Sequence, residues 1–236
     1  MAPVSRPLHR LLGAMAALML SACAGMPAAP TPATAPDYGE GGWHSCRIGI
    51  SWPEGEPPDW GVDAYLAHAV IAPVLLPRLP DLAFWRFHRR ALRDPAGHLF
   101  SLIFYADTGI STDLAEALLA QPSLNQTRAA GVVTYVSCED VAHWSGPEIS
   151  ATSDRSWSAA MQAAWPHFIM GSSRLWLDLL DAQLADGPPR GPLDGRLARY
   201  REANQAVNQI WATEGGHALL HHLNAVFGYV PLHMRY

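Results

Sequence analysis

The chain carries little charge and has no excess of basic residues. Only 16% of its 236 residues are charged, and the formal net charge is −5 at pH 7 with a pI near 6.1. Nucleic-acid-binding domains usually carry a basic footprint, so no nucleic-acid partner is expected. The glycine-rich phosphate loops G-x-x-x-x-G-K-[ST] and G-x-G-x-x-G are also missing, and with them the usual sequence signs of nucleotide chemistry.

Two further signatures of catalysis are absent. The sequence contains neither G-x-S-x-G nor H-E-x-x-H, which mark serine hydrolases and zinc proteases. Gly171-Ser172-Ser173 lacks the flanking pattern and is predicted in the middle of a helix, where small residues usually allow close packing. No internal repeat occurs at solenoid spacing. The sequence therefore indicates no particular reaction and no cofactor.

The apolar run near the amino terminus is too short to span a membrane as a helix. It covers Leu11–Leu20, whereas a spanning helix needs about 20 residues. Arg6, His9 and Arg10 precede it, and Leu20-Ser21-Ala22-Cys23 closes it. A basic start, an apolar stretch and small residues at the end together are typical of a signal peptide with its cleavage point.

Leu20-Ser21-Ala22-Cys23 resembles the lipobox of bacterial lipoproteins. The resemblance implies cleavage before Cys23, a diacylglycerol thioether on its sulfur, and an acyl chain such as palmitate on its new amino group. More than one acyl chain gives stable anchoring. Ala24, rather than Asp, implies sorting to the outer membrane, with the folded part expected to face the periplasm. Two alternatives stay open, an uncleaved membrane anchor and an ordinary signal peptide in which Cys23 is incidental.

The segment after Cys23 is small and proline-rich as far as Pro36. Such a segment cannot bury enough apolar surface to fold, so it is predicted to be an extended tether. The predicted organisation is a signal peptide over residues 1–22, the lipidated cysteine and tether over 23–42, an α+β domain over 43–145 and a C-terminal helical region over 146–236.

The chain has only three cysteines. Once Cys23 is lipidated, Cys46 and Cys138 remain, and an even pair in an oxidising compartment is a candidate disulfide. The alternative is two unpaired thiols packed as small hydrophobic groups.

The pattern of residues 43–145 predicts the element order β-α-β-β-α-β. Strands are expected over Trp43–Trp52, Leu82–Arg93, His98–Ala106 and Val132–Glu139, with a helix from Val62 and another, capped by Ser111 or Thr112, through Leu119. This order is the ferredoxin-like arrangement. In that fold the first and fourth strands are adjacent and antiparallel, which places the start of one near the end of the other and so favours a Cys46–Cys138 bridge.

From Ser153 onward the pattern is helical. A short helix is predicted over Trp157–Trp165, and Pro166 suits the first position of the next helix, which runs to about Leu184. The apolar face of that second helix is predicted to comprise Phe168, Leu175, Trp176, Leu179 and Leu180. A long helix over Leu193–Thr213 and Gly216–Phe227 follows, interrupted at Gly215-Gly216. This helical region is expected either to cross the polar face of the sheet or to extend beside it.

The second and third strands form the clearest local motif, a hairpin with its turn over Asp94-Pro95-Ala96-Gly97. If the turn sets the register, the predicted pairs are Arg93 with His98, Arg90 with Ser101, His88 with Ile103 and Arg86 with Tyr105. Alternation then places Trp85, Phe87, Phe100, Leu102 and Phe104 on the face that the helices cover.

The opposite face of this hairpin is the first candidate ligand site. It carries Arg86, His88, Arg90, Ser101 and Tyr105. Guanidinium groups bind carboxylates and phosphates in a bidentate manner, so Arg86, His88, Arg90 and Tyr105 are predicted to bind a small anionic ligand. The alternative is a solvated face, or ion pairs with acidic residues of the C-terminal helices such as Asp178 and Asp181.

The second candidate site lies near the carboxyl terminus. Glu214, His217 and His221 have the spacing i, i+3 and i+7, which can present a carboxylate and two imidazoles to one metal ion. The spacing is not that of an established zinc motif, and Gly215-Gly216 can break the helix between the ligands. A solvated polar face, opposite a stripe formed by Leu219, Leu220, Leu223 and Phe227, is the other interpretation.

These observations leave two hypotheses for function. The first is a non-catalytic, lipid-anchored envelope protein that binds a partner protein or a small ligand. The second is an envelope enzyme or metal-binding protein whose centre combines the hairpin face with the C-terminal histidines. A pocket that contained His88 together with His217 or His221 would favour the second hypothesis.

Overall fold

The computed structural model describes residues 41–91, 97–140 and 148–231, which belong to one compact unit beginning at residue 38. The predicted signal peptide, Cys23 and almost all of the predicted tether lie outside the described residues. Arg93 and most of the predicted turn at Asp94–Gly97 lie outside them as well.

The elements follow the predicted β-α-β-β-α-β order and then continue as helices. In chain order they are β1 (Gly42–Ile50), α1 (Trp60–Tyr65), a π-helical turn (Leu66–Ile71), α2 (Ala72–Leu75), a 3-10 turn (Leu76–Asp81), β2 (Phe84–Arg90), β3 (Leu99–Ala106), α3 (Thr108–Leu119), α4 (Pro122–Ala129), β4 (Val133–Asp140), a 3-10 helix (Ile149–Thr152), α5 (Ala159–Gln183), α6 (Leu193–Gly215), a second π-helical turn (Gly216–His221) and α7 (His222–Val226).

The four strands form one sheet in the order β2-β3-β1-β4, and every neighbouring pair is antiparallel. This order and these directions are those of the ferredoxin-like arrangement. The predicted α+β fold with a C-terminal helical layer is therefore confirmed.

The hairpin register differs from the prediction by two residues. Arg86 lies opposite Ile103 and Tyr105 lies opposite Phe84, whereas the sequence predicted Arg86 opposite Tyr105. A shift of two residues keeps every side chain on the same face of the sheet. The predicted apolar face is accordingly correct, and its five residues are buried in the main core: Trp85, Phe87, Phe100, Leu102 and Phe104.

Pro73 and Pro166 are two of the prolines that lie inside helical segments rather than at their ends. Pro166 was predicted to begin a helix, but it is an interior residue of α5. Proline has no N–H to bond the carbonyl four residues earlier, and the carbonyl of Gln162 instead accepts the Ser153 hydroxyl at 2.8 Å. The same solution recurs at Pro73, because the carbonyl of Ala69 accepts the Ser123 hydroxyl at 3.2 Å.

The first helical segment is continuous from Trp60 to Asp81 although it contains Pro73, Pro77 and Pro80. By length and composition it is apolar enough to cross a membrane, yet 61% of that stretch is buried inside the protein. It is therefore the central helix of the core. The carboxylate of Asp59 caps its first turn by accepting the N–H of Gly61 at 3.1 Å.

The connection between β3 and β4 holds two helices where one was predicted. Asp107, rather than Ser111 or Thr112, caps α3, because its carboxylate accepts the N–H of Ile110 at 2.9 Å. The unpredicted helix α4 starts at Pro122. Proline suits a first helical turn, where the missing N–H would have had no partner.

The C-terminal helices extend beside the sheet. Helix α5 lies along β2, the edge strand, and the N–H of Phe87 donates to the Ser173 hydroxyl at 3.1 Å. Of the three small residues predicted to allow close helix packing, Ser173 lies against this strand and Gly171 is exposed. The contact covers an edge that would otherwise be open to pairing. Trp176, Leu179 and Leu180 contact the core as predicted.

Two residues assigned to the apolar face of α5 are exposed instead: Phe168 and Leu175 are 50% and 38% accessible. Helix α6 packs closely on α1: a Cβ atom added to Gly61 would lie 2.8 Å from the Arg201 Cα.

Candidate functional site

A disulfide joins Cys46 and Cys138. The two residues lie directly opposite each other in the β1–β4 pair, and their Cα atoms are 4.0 Å apart. The predicted bridge is therefore confirmed. Both cysteines lie within their strands rather than at the ends that the prediction gave them, so the bridge fixes the central strand β1 to the edge strand β4.

The outer face of the sheet carries a row of three basic side chains on β2. Arg86, His88 and Arg90 alternate along the strand and are all half-buried. Arg47 on β1 also lies on this face, where it pairs with Glu139 at 3.8 Å. Among the described side chains of the four strands, Glu139 is the one carboxylate on the outer face. The described strand residues thus contribute more basic than acidic side chains to the outer face.

Arg86 is the unusual member of this row. Its Nε atom is buried and has no hydrogen-bond partner, and within the described residues its guanidinium forms no ion pair. Burial lowers the pKa of Arg86 from its ordinary value, and no carboxylate among the described residues opposes that shift. A buried cation without a partner is costly, and a bound anion would remove that cost.

Tyr105 lies at the other end of the same face, in a small aromatic cluster. Trp43, Phe84 and Ile103 surround it, and the Trp43 ring meets it edge-on with centroids 5.4 Å apart. Burial, and then the charge of Glu148, raise the pKa of the Tyr105 phenol. Tyr105 is therefore a packing residue at the border of the basic row, and it is less available to a ligand than the sequence pattern indicated.

The acidic residues considered as partners for the basic row bind elsewhere. The Asp178 carboxylate accepts from Arg174 on the same helix at 2.8 Å, and Asp181 contacts His68 at 3.3 Å. Neither of these two pairs involves the hairpin. The ion pairs with Asp178 and Asp181 that the alternative interpretation named are therefore made with Arg174 and His68 instead.

The C-terminal histidines form an exposed cluster of their own. The His217 and His221 rings stack with centroids 5.2 Å apart, and His222 lies 5.3 Å from His221. His217 and His221 both lie in the second π-helical turn, and His222 follows it directly. In the described part of the chain, no three His, Cys, Asp or Glu side chains converge closely enough to hold a metal ion, and Glu214 joins no such group.

The hairpin row and the C-terminal histidines occupy different parts of the molecule. The row lies on the sheet, whereas the ring contacts of His217 and His221 are with His222 and Tyr229 on the same terminal segment. His88, His217 and His221 do not line the cleft that opens beside the disulfide.

A buried polar cluster that sequence reasoning missed lies between α1 and the hairpin. Asp63 is fully buried, and its carboxylate contacts the His98 Nε2 at 2.7 Å and the Arg89 Nε at 3.4 Å. The Arg89 guanidinium is held between the rings of Trp60 and Trp176, at 4.8 and 4.7 Å from their centroids. One sequence signal pointed to this cluster: Asp63 is the lone acid in a stretch that is otherwise apolar.

A second polar cluster joins the first helical segment to α5 and α6. The Tyr200 hydroxyl lies 2.7 Å from the His68 Nδ1, and the His68 Nε2 lies 3.3 Å from Asp181. Burial raises the pKa of Tyr200, so its hydroxyl stays protonated and can donate to Nδ1. The His68 Nε2–H is then free to donate to Asp181, which fixes the orientation of the imidazole. The cluster pins three helices together.

A cleft of about 250 Å³ opens beside the disulfide, between α3 and the β1–β4 pair. Its polar lining includes His44, Glu116 and Glu139, and its floor includes Phe104 and Leu119. Two carboxylates make this cleft unsuitable for an anion. It contains none of the residues predicted to bind a ligand.

No family model and no curated protein matches the chain. Among solved structures it is similar to a protein described as "Crystal structure of TsrL", with 20% sequence identity and a TM-score of 0.35. The similarity covers 76% of this chain and 50% of that one, so this chain spans about half the length of its structural neighbour. Similarity at this level identifies no shared activity.

Proposed function

We propose that the mature protein is a non-catalytic, lipid-anchored protein of the outer membrane that faces the periplasm and binds a small anionic ligand. The anchor rests on the resemblance of Leu20-Ser21-Ala22-Cys23 to a lipobox. The disulfide between Cys46 and Cys138 supports an oxidising compartment such as the periplasm. The ligand would bind at the basic row of β2.

The observation that carries the binding proposal is Arg86. Its guanidinium is half-buried on the outer face of the sheet and has no acidic partner within the described residues. His88 and Arg90 flank it on the same strand and face. Carboxylates and phosphates are the groups that a guanidinium binds in a bidentate manner, so a ligand carrying one of these groups is the best match.

The enzyme alternative receives no support from the same geometry. It required the C-terminal histidines to approach the hairpin, and their ring contacts lie within the terminal segment. A binding protein needs only the basic row.

The first test concerns the anchor. We expect Cys23→Ser to prevent lipidation, because the hydroxyl of serine cannot form the thioether. In cell fractionation, the wild-type protein should be found in the outer membrane, and mass spectrometry should find its first residue to be an acylated Cys23. Wild-type protein that still begins with an unmodified Met1 would refute the anchor, as would acylated peptides in the Cys23→Ser variant.

The second test concerns Arg86. We expect the wild-type protein to bind inorganic phosphate or acetate in calorimetric titrations at constant ionic strength, and Arg86→Gln to weaken that binding about tenfold or more, because a charge-assisted hydrogen bond contributes about 1.5–3 kcal/mol. Arg128→Gln is the matched control, because Arg128 is an exposed arginine on α4. A wild-type protein that binds neither anion would refute the proposal, as would equal affinities in wild type and Arg86→Gln.

A further inference from the structure

The last described part of the chain exposes most of its large apolar side chains. Six of them are between 37% and 81% accessible: Leu220, Leu223, Val226, Phe227, Tyr229 and Val230. The sequence predicts an apolar stripe of Leu219, Leu220, Leu223 and Phe227, and such a stripe normally packs against the protein. Here the second π-helical turn and α7 have no buried residue. The stripe is therefore correct as a pattern, but it lacks a partner within the described part of the protein.

This terminal segment also lacks acidic residues, lysine and arginine. From Gly215 to Met234 the sequence contains no Asp, Glu, Lys or Arg, although 16% of the whole chain is charged. Solvent-exposed helices normally carry charges on their outer faces. Trp211, which is 59% exposed on α6, lies just before the segment. An uncharged, apolar and aromatic surface of this kind is typical of a segment that lies in a membrane interface.

The proposed anchor supplies a membrane within reach of this surface. Residues 24–40 connect Cys23 to the first described residue, and a fully extended chain of that length spans at most about 60 Å. The folded body can therefore never leave the neighbourhood of the bilayer. Tethering of this kind gives a weak second contact a high effective concentration.

We propose that residues 216–230, together with Trp211, dock on the lipid surface to which Cys23 is anchored. The proposal rests on the proposed lipid anchor, which brings the body to the bilayer. The apolar side chains enter the boundary between headgroups and acyl chains, and the absence of acidic residues removes repulsion from anionic lipids. Docking holds the body in one orientation on the membrane.

The experiment measures vesicle binding without the acyl chains. The mature chain from residue 24 onward is suitable, because it contains the whole compact unit that begins at residue 38. It is sedimented with vesicles of phosphatidylethanolamine and phosphatidylglycerol. The test variant is Leu220→Ser/Leu223→Ser/Phe227→Ser. The control variant is Met161→Ser/Leu175→Ser/Phe168→Ser on α5, whose side chains have comparable exposure.

We expect the test variant to bind vesicles at least tenfold more weakly than the wild type, and the control variant to bind within about twofold of it. Absence of wild-type binding, or equal losses in both variants, would overturn the docking. The docking would also be overturned if the wild type formed a dimer without vesicles and only the test variant abolished that dimer. A second copy of the chain would then cover the segment. Circular dichroism of all three proteins verifies that they are folded.

The failure of docking can be told apart from the failure of the anchor. Mass spectrometry of the protein extracted from cells reports on Cys23 independently. An acylated Cys23 with no vesicle binding would leave the anchor standing and remove the docking. An unmodified Cys23 with the expected vesicle binding would remove the anchor and retain a lipid-binding segment.

Discussion

Replacing Asp63 with alanine is expected to lower the free energy of unfolding by about 3–5 kcal/mol, because removing one partner of a buried ion pair leaves the other charge uncompensated. The Asp63 carboxylate is inaccessible to solvent and contacts both His98 and Arg89. Arg89 would keep weaker contacts, to the Trp60 carbonyl at 3.2 Å and to the Asn204 side chain at 3.4 Å. These contacts do not replace a carboxylate. Urea unfolding followed by circular dichroism measures the change.

The control variant for Asp63→Ala is Asp178→Ala. Asp178 also pairs with an arginine, but both side chains are about half exposed and the pair lies within one helix, where such pairs contribute about 0.3–0.5 kcal/mol. A loss of stability in Asp63→Ala that was no larger than in Asp178→Ala would refute the structural role of the buried cluster. The loss of stability in Asp63→Asn should lie between the losses in Asp63→Ala and Asp178→Ala, because the amide oxygen can still accept one hydrogen bond.

Reduction of the Cys46–Cys138 disulfide is expected to lower the free energy of unfolding by about 2–5 kcal/mol. The two cysteines are 92 residues apart in sequence, and closing a loop of that size restricts the unfolded chain strongly; chain entropy alone gives about 4.7 kcal/mol for 100 residues. The bridge also joins the edge strand β4 to the central strand β1. Urea unfolding with and without dithiothreitol measures the difference.

A double variant, Cys46→Ser/Cys138→Ser, gives the same comparison without a reductant. Its free energy of unfolding should be lowered about as much as that of the reduced wild-type protein, and dithiothreitol should not change it further. Cys23→Ser in an unlipidated chain that begins at Cys23 is the control, because it removes the one cysteine that is not part of the bridge. If dithiothreitol left the urea midpoint of wild-type unfolding unchanged, the prediction that the bridge stabilises the fold would be wrong.

Local patterns sufficed for the strands, and the ferredoxin-like arrangement that their sequence indicated supplied the neighbours in the sheet and the cysteine pair. Alternation in β3 identified which side chains face the core, and the antiparallel neighbours β1 and β4 brought Cys46 to Cys138. The register of the hairpin was beyond such reasoning, since alternation has a period of two and does not distinguish a shift of two residues. Only the pairing of Phe84 with Tyr105 across the strands decides it.

The polar clusters depend on contacts between residues distant in sequence. Asp63 and His98 are 35 positions apart and meet only because α1 packs on the inner face of the hairpin. The helix-interior position of Pro166 depends likewise on a serine hydroxyl from another segment. Sequence patterns report local conformation, whereas these interactions require the assembled core.

By itself the sequence determined the α+β class, the strand order, the faces of the hairpin and the cysteine pair, because hydrophobic periodicity and residue chemistry act over a few neighbours at a time. Only the tertiary structure decided which charges meet, that Arg86 is left without a carboxylate in the described part of the chain, and that the C-terminal apolar stripe finds no partner there. Those outcomes depend on which surfaces of distant elements come together. The free energy of burial selects these contacts for the whole chain at once.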